Sequence, residues 1–146
     1  MLTPRTLLLL LLLVLPNLVV AQTWPPAPRL AEVSIRTNVK KVVMPEYPEE
    51  SIKRGSKGQA VVQLLYDETG VVTHVKVLEA PDSYIREAVT AAIRQWIFKP
   101  SHARTPNGPF IKIQGKLTFY FVINDRGEGK VENPKQFKEG APIPPK

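Results

Sequence analysis

The chain has 146 residues, with 20 Lys and Arg against 13 Asp and Glu, 15 Pro, 8 Gly and no Cys; that size suits one modest domain with extensions and leaves little room for a large multidomain enzyme. A hydrophobic share of 43% with 23% charged residues fits a folded body rather than a disordered one. Without Cys there is no disulfide framework, no thiol catalysis and no cysteine metal site, so the core alone must hold the fold.

Arg5 and the terminal amine precede an unbroken apolar run from Leu7 to Leu15, Pro16 and Asn17 interrupt it, and Val19-Val20-Ala21 puts compact residues just before Gln22. This pattern reads as a cleaved export signal over residues 1–21. The competing reading is a short membrane anchor, although Leu7 to Ala21 falls short of the roughly 20 apolar residues that span a bilayer. Removing residues 1–21 leaves 19 bases against 13 acids, a net +6, which suits acidic partners or plain solubility.

Residues 22–38 begin with Pro25-Pro26-Ala27-Pro28 and read as an extended, weakly structured spacer. Lys40 to Met44 predicts a first strand, ended by Pro45. Tyr47-Pro48 opens a short helix from Glu49 to Arg54, with acids in the first turn, bases in the last, and Gly55 as its left-handed stop. Gln59 to Tyr66 and Val71 to Glu79 are β-branched runs around Asp67-Glu68-Thr69-Gly70, which predicts a hairpin closed by a positive-φ glycine. After Pro81, apolar residues at Ile85, Ala88, Val89, Ala92, Ile93 and Trp96 trace one helix face, with Asp82 or Ser83 as cap.

Pro100 stops that segment, and residues 101–109 form a polar loop. From Ile111 the chain alternates, with Ile111, Ile113, Leu117, Phe119, Phe121 and Ile123 on one side and Lys112, Gln114, Lys116, Thr118 and Tyr120 on the other; Gly115 interrupts the apolar series. That is a long half-buried strand. Residues 124–146 are polar and rich in Gly, Pro and Lys and read as a flexible tail. The order strand, helix, hairpin, helix, strand over residues 39–123 predicts an α+β fold of two layers: an antiparallel three-stranded sheet with helices packed on one face.

Residue chemistry points away from catalysis. His74 and His102 are the only histidines and lie at no metal-ligand spacing. Ser101-His102 is not a nucleophile, base and orienter set, and the glycines match no phosphate-binding motif. Glu49-Glu50 fits a helix start, Asp67-Glu68 a hairpin tip, and Lys53, Arg54 and Lys57 a solvated helix end. Trp96 and Phe98 fall on core faces rather than among bases, which argues against a nucleic-acid surface. No catalytic residue, metal or cofactor is expected.

One conjunction of residues resembles a known family. Tyr47-Pro48, the short helix, Gly55 and Gly58, Gly70 in a hairpin turn, and a helix leading into Trp96-Ile97-Phe98-Lys99-Pro100 are similar, in order and spacing, to the C-terminal domain of TonB-type energy transducers. The resemblance implies a small α/β domain outside the inner membrane that binds envelope proteins, including a short segment of an outer-membrane receptor, by strand pairing. It implies that the strand from Ile111 to Ile123 is the exposed edge, with Lys112, Gln114, Lys116, Thr118 and Tyr120 as contacts, and exposed edges also permit a homodimer. The family's anchor carries a His, which the run from Leu7 to Ala21 lacks, and 17 residues from Gln22 to Asn38 reach at most about 60 Å. The expectation is therefore an exported periplasmic binding module, with an inner-membrane-anchored transducer facing the periplasm as the alternative.

Overall fold

The computed structural model describes residues 24–102, 108 and 111–133. The signal or anchor at 1–21 and the tail beyond 133 lie outside those residues. Between Leu30 and Asn133 the chain forms α1 (Glu32–Thr37), β1 (Val39–Lys41), α2 (Glu49–Lys53), β2 (Gly58–Tyr66), β3 (Val72–Glu79), α3 (Ser83–Ile93), β4 (Ile97–Phe98), β5 (Ile113–Ile123) and β6 (Gly129–Glu132). The main sheet has four strands in the order β3-β2-β5-β6, all antiparallel, and β1 pairs with β4 in a separate two-stranded sheet. The expected three-stranded sheet is therefore corrected to four strands, with β6 added beside β5, and β1 pairs apart from it with β4.

Alternation accounts for the core. Ala60, Val62 and Leu64 of β2 face the same side as Leu117, Phe119 and Phe121 of β5, and all are buried with Ile85, Val89 and Ile93 of α3. Trp96, expected on the helix face, lies just past it: α3 ends at Ile93, and Gln95 and Trp96 donate their N–H to the carbonyls of Ala92 and Ile93. This tightened last turn drops Trp96 into the core at 1% exposure. Its Nε1 donates to the Val43 carbonyl at 2.7 Å, and its ring meets Phe119 edge-on with centroids 6.0 Å apart. Phe98, on a two-residue strand too short for any periodicity, stacks on Tyr66 at 4.2 Å.

Two hairpin turns share one chemistry. In Asp67-Glu68-Thr69-Gly70, the Asp67 carboxylate accepts the N–H groups of Thr69 and Val71, and Gly70 has φ +91°. In Asn124-Asp125-Arg126-Gly127, the Asn124 amide oxygen accepts those of Arg126 and Glu128, and Gly127 has φ +78°. The second turn sends the chain back as β6, paired with β5 from Tyr120↔Glu132 to Ile123↔Gly129. The expectation of a flexible tail from 124 is thus corrected for residues 124–133. The spacer is corrected as well: α1 buries Ile35, and the segment before it lies along β5.

Asp82 caps α3, accepting the Ile85 N–H at 2.8 Å. Burial is the largest single influence on Asp67 and on Asp82 and pushes both carboxyls up, but hydrogen bonds to the Thr69 hydroxyl and local amides at Asp67, and to the Ile85 amide at Asp82, outweigh it and hold both below the ordinary 3.8. A depressed native pKa contributes stability above the unfolded value and loses it as pH falls through the native one. Urea midpoints should therefore fall as pH drops below about 4. Asp67→Asn and Asp82→Asn, which keep an accepting oxygen, should each flatten that fall; an unchanged pH slope in both variants would remove these caps from the account.

Candidate partner-binding edge

β5 pairs with β2 without a break, from Tyr66↔Ile113 to Gly58↔Phe121. Antiparallel alternation turns the backbone of every second β5 residue away from β2, so Gln114, Lys116, Thr118 and Tyr120 present their N–H and C=O to the other side. At Gln114, Thr118 and Tyr120 the structure covers that side with the chain's own segments, which corrects the expectation of an open edge. Tyr120 pairs with Glu132 of β6. Gln114 forms a parallel bridge with Arg29: its N–H donates to the Pro28 carbonyl at 3.0 Å, and its carbonyl accepts the Leu30 N–H at 2.9 Å.

At Thr118 two side chains take the place of a strand. Its N–H donates to Glu32 Oε1 at 2.8 Å, and its carbonyl accepts from Arg36 Nη2 at 2.7 Å. Glu32 and Arg36 lie one helical turn apart on α1 and are ion-paired to each other, with the Arg36 side chain only 5% exposed. Arg36 also donates to the Asn133 side chain at the end of β6, so one guanidinium ties α1, β5 and β6 together.

The predicted contact residues divide accordingly. Lys112 and Lys116 are exposed, Thr118 and Tyr120 are half-buried, and Gln114 is buried. The Gln114 amide donates to the Ala27 carbonyl and accepts from Trp24 Nε1 and Gln63 Nε2 at 2.9 Å each, while the Trp24 ring meets His74 edge-on. Gly115 explains its own interruption of the apolar series, because a Cβ there would overlap the Ile35 side chain. The vacancy is a slot for α1.

The motif residues serve the frame around this edge. Tyr47 donates its hydroxyl to the Ser56 carbonyl at 2.6 Å and meets Phe121 edge-on. Pro48 precedes α2 as its cap, Gly55 ends it at φ +66°, and Gly58 opens β2 at φ +141°. Pro100 is exposed after β4. Two residues of the basic cluster are engaged: Lys53 pairs with Glu50 at 2.9 Å, and Arg54 lies 5.0 Å from the Tyr84 ring centre. This hydrogen bond lowers the Glu50 pKa and raises that of Lys53. Beside Arg36 opens an apolar groove of about 580 Å³ lined by Val39, Val42, Met44, Trp96 and Asn133. Among the described residues, no cluster of three or more His, Cys, Asp or Glu could hold a metal, and no helix is long and apolar enough to cross a membrane.

The domain is a small α/β layer whose long strand β5 is bordered by other segments of its own chain. The family model for the Gram-negative bacterial TonB protein C-terminal matches residues 43–123, and this chain belongs to that family. It is an interaction domain of the kind that serves energy transduction to outer-membrane receptors, and not an enzyme. The solution NMR structure of the Pseudomonas aeruginosa TonB C-terminal domain is similar at a TM-score of 0.47 and 27% identity, covering 60% of this chain and 87% of that one. No curated protein sequence matches the chain at a significant level.

Proposed function

We propose that this chain is an exported module that engages envelope proteins, among them an outer-membrane TonB-dependent receptor, by strand pairing along β5 through Lys112, Gln114, Lys116, Thr118 and Tyr120. One observation carries the reading. At Gln114 and Thr118, the N–H and C=O turned away from β2 are bonded to an extended segment and to a carboxylate and guanidinium that stand in for one. A row of groups that accepts such partners is what an added strand requires. Backbone pairing supplies the affinity, and exposed Lys112 and Lys116 favour a segment carrying acids. The work takes place in the periplasm and needs no cofactor.

The cysteine-free chain makes the test direct. A synthetic peptide of a receptor's periplasmic coupling segment, bearing one Cys, should form a disulfide with a Lys116→Cys variant and not with a Lys76→Cys variant on β3. Equal yields at both positions would remove β5 as the docking edge. The uninterrupted run from Leu7 to Leu15 keeps the membrane-anchored transducer as the second reading. Intact mass from the native host separates the two, since a soluble species beginning at Gln22 carries the free module and a membrane-bound one keeping Met1 carries the transducer.

A further inference from the structure

The segment from Trp24 to Thr37 is held on β5 by contacts of three kinds. Its backbone pairs in parallel with Gln114. Its Glu32–Arg36 pair fills the donor and acceptor of Thr118. Its Ile35 plugs the Gly115 slot and is fully buried. Backbone at Gln114, charge at Thr118 and an apolar anchor between them make up the recognition pattern of a docked peptide. Here all three come from the same chain, and they fall on positions an incoming strand must use.

We infer that residues 24–37 are a built-in ligand of the β5 edge, and that the partner is an extended segment running parallel to β5 which must displace them. This rests on the strand-pairing function proposed above. An intramolecular ligand competes at an effective concentration that reaches the millimolar range for short connections. The apparent affinity for an external strand falls by the fraction of molecules with the edge open. The internal ligand therefore sets a threshold: only a segment that improves on its three contacts binds, and weak strand-forming peptides are turned away.

The probe is a fluorescent synthetic peptide of residues 24–37, added to the full chain. Glu32→Ala removes the carboxylate on Thr118 while leaving Ile35 in place, and should bind the probe at least about 10-fold more tightly than the parent chain. Its fold is checked by amide protection in β2 and β3. A second variant locks the segment instead. Arg29 and Gln114 are bridge partners, and adjacent strands about 4.8 Å apart lie within the span of a disulfide, so Arg29→Cys with Gln114→Cys should crosslink. The oxidised form should lose probe binding by at least about 10-fold, and reduction should restore it, a reversal that damage to the fold does not produce.

Equal probe affinity for the parent chain and Glu32→Ala, or binding indifferent to oxidation of the crosslink, overturns the built-in ligand. Receptor-segment crosslinking at position 116 alongside either result leaves the strand-pairing function standing. A probe that obeys the lock, with no receptor segment captured at position 116, upholds the built-in ligand and removes the proposed partner instead.

Discussion

Replacing Trp96 with Ala is expected to destabilise the domain by about 3–5 kcal/mol, the usual loss for a large buried aromatic. The ring is 1% exposed, touches Phe98 and Phe119 on two sides, and is tied to the segment after β1 by the bond from Nε1 to the Val43 carbonyl. Truncation opens a cavity at the junction of the two sheets and leaves that carbonyl unmet. Urea denaturation followed by far-UV circular dichroism measures the loss. A value below about 1 kcal/mol would put the side chain at the surface and make it a platform. Trp96→Phe isolates the indole bond, because most of the packing survives.

Gly70→Ala is the second large effect. The residue has φ +91°, and an added Cβ would run into the backbone of Phe98, whose N–H donates to the Gly70 carbonyl at 2.8 Å. The positive φ costs about 1–2 kcal/mol for an L-residue, and forcing β4 outward adds a further penalty of about 1–3 kcal/mol. Gly55→Ala supplies the comparison. Its φ is +66°, but nothing lies within 4 Å of the added methyl, so it should lose only the conformational share. The difference between the two variants in the same denaturation experiment reports the close passage of β4. Equal losses would mean that both glycines serve conformation alone.

Long periodic segments are legible in the sequence, and short ones are not. β2, β3, α3 and β5 each run for eight residues or more, enough for a period of 2 or 3.6 to repeat and declare a buried face. The two residues of β4 and the single buried residue of α1 leave no period to detect. β6 is a different case. Its turn, Asn124-Asp125-Arg126-Gly127, repeats the Asx-to-Gly offset of Asp67 to Gly70, so the signal read once as a hairpin was present a second time.

At the edge, alternation correctly placed Gln114 on the side opposite Leu117 and Phe119, yet Gln114 is buried. A pattern of period 2 tells which face a side chain takes, not which distant segment lies over it. The gap at Gly115 and the Glu32–Arg36 spacing were both visible. Connecting them required knowing that α1 folds back across some 80 residues of chain to reach β5.

The layout around β5 also bears on how the protein lives in a crowded compartment. An unpaired strand invites any chain, including a copy of itself, to stack on and grow into fibres. Here one border of the sheet is closed by β6 and the segment before α1, while on the other Arg86 caps the Val77 carbonyl and Val71 is bridged by Ile97. On the built-in ligand proposed above, the same fourteen residues that set selectivity would also shield this stretch of β5 from the protein's siblings. Proteolytic trimming of them would turn a discriminating receptor of strands into a sticky one.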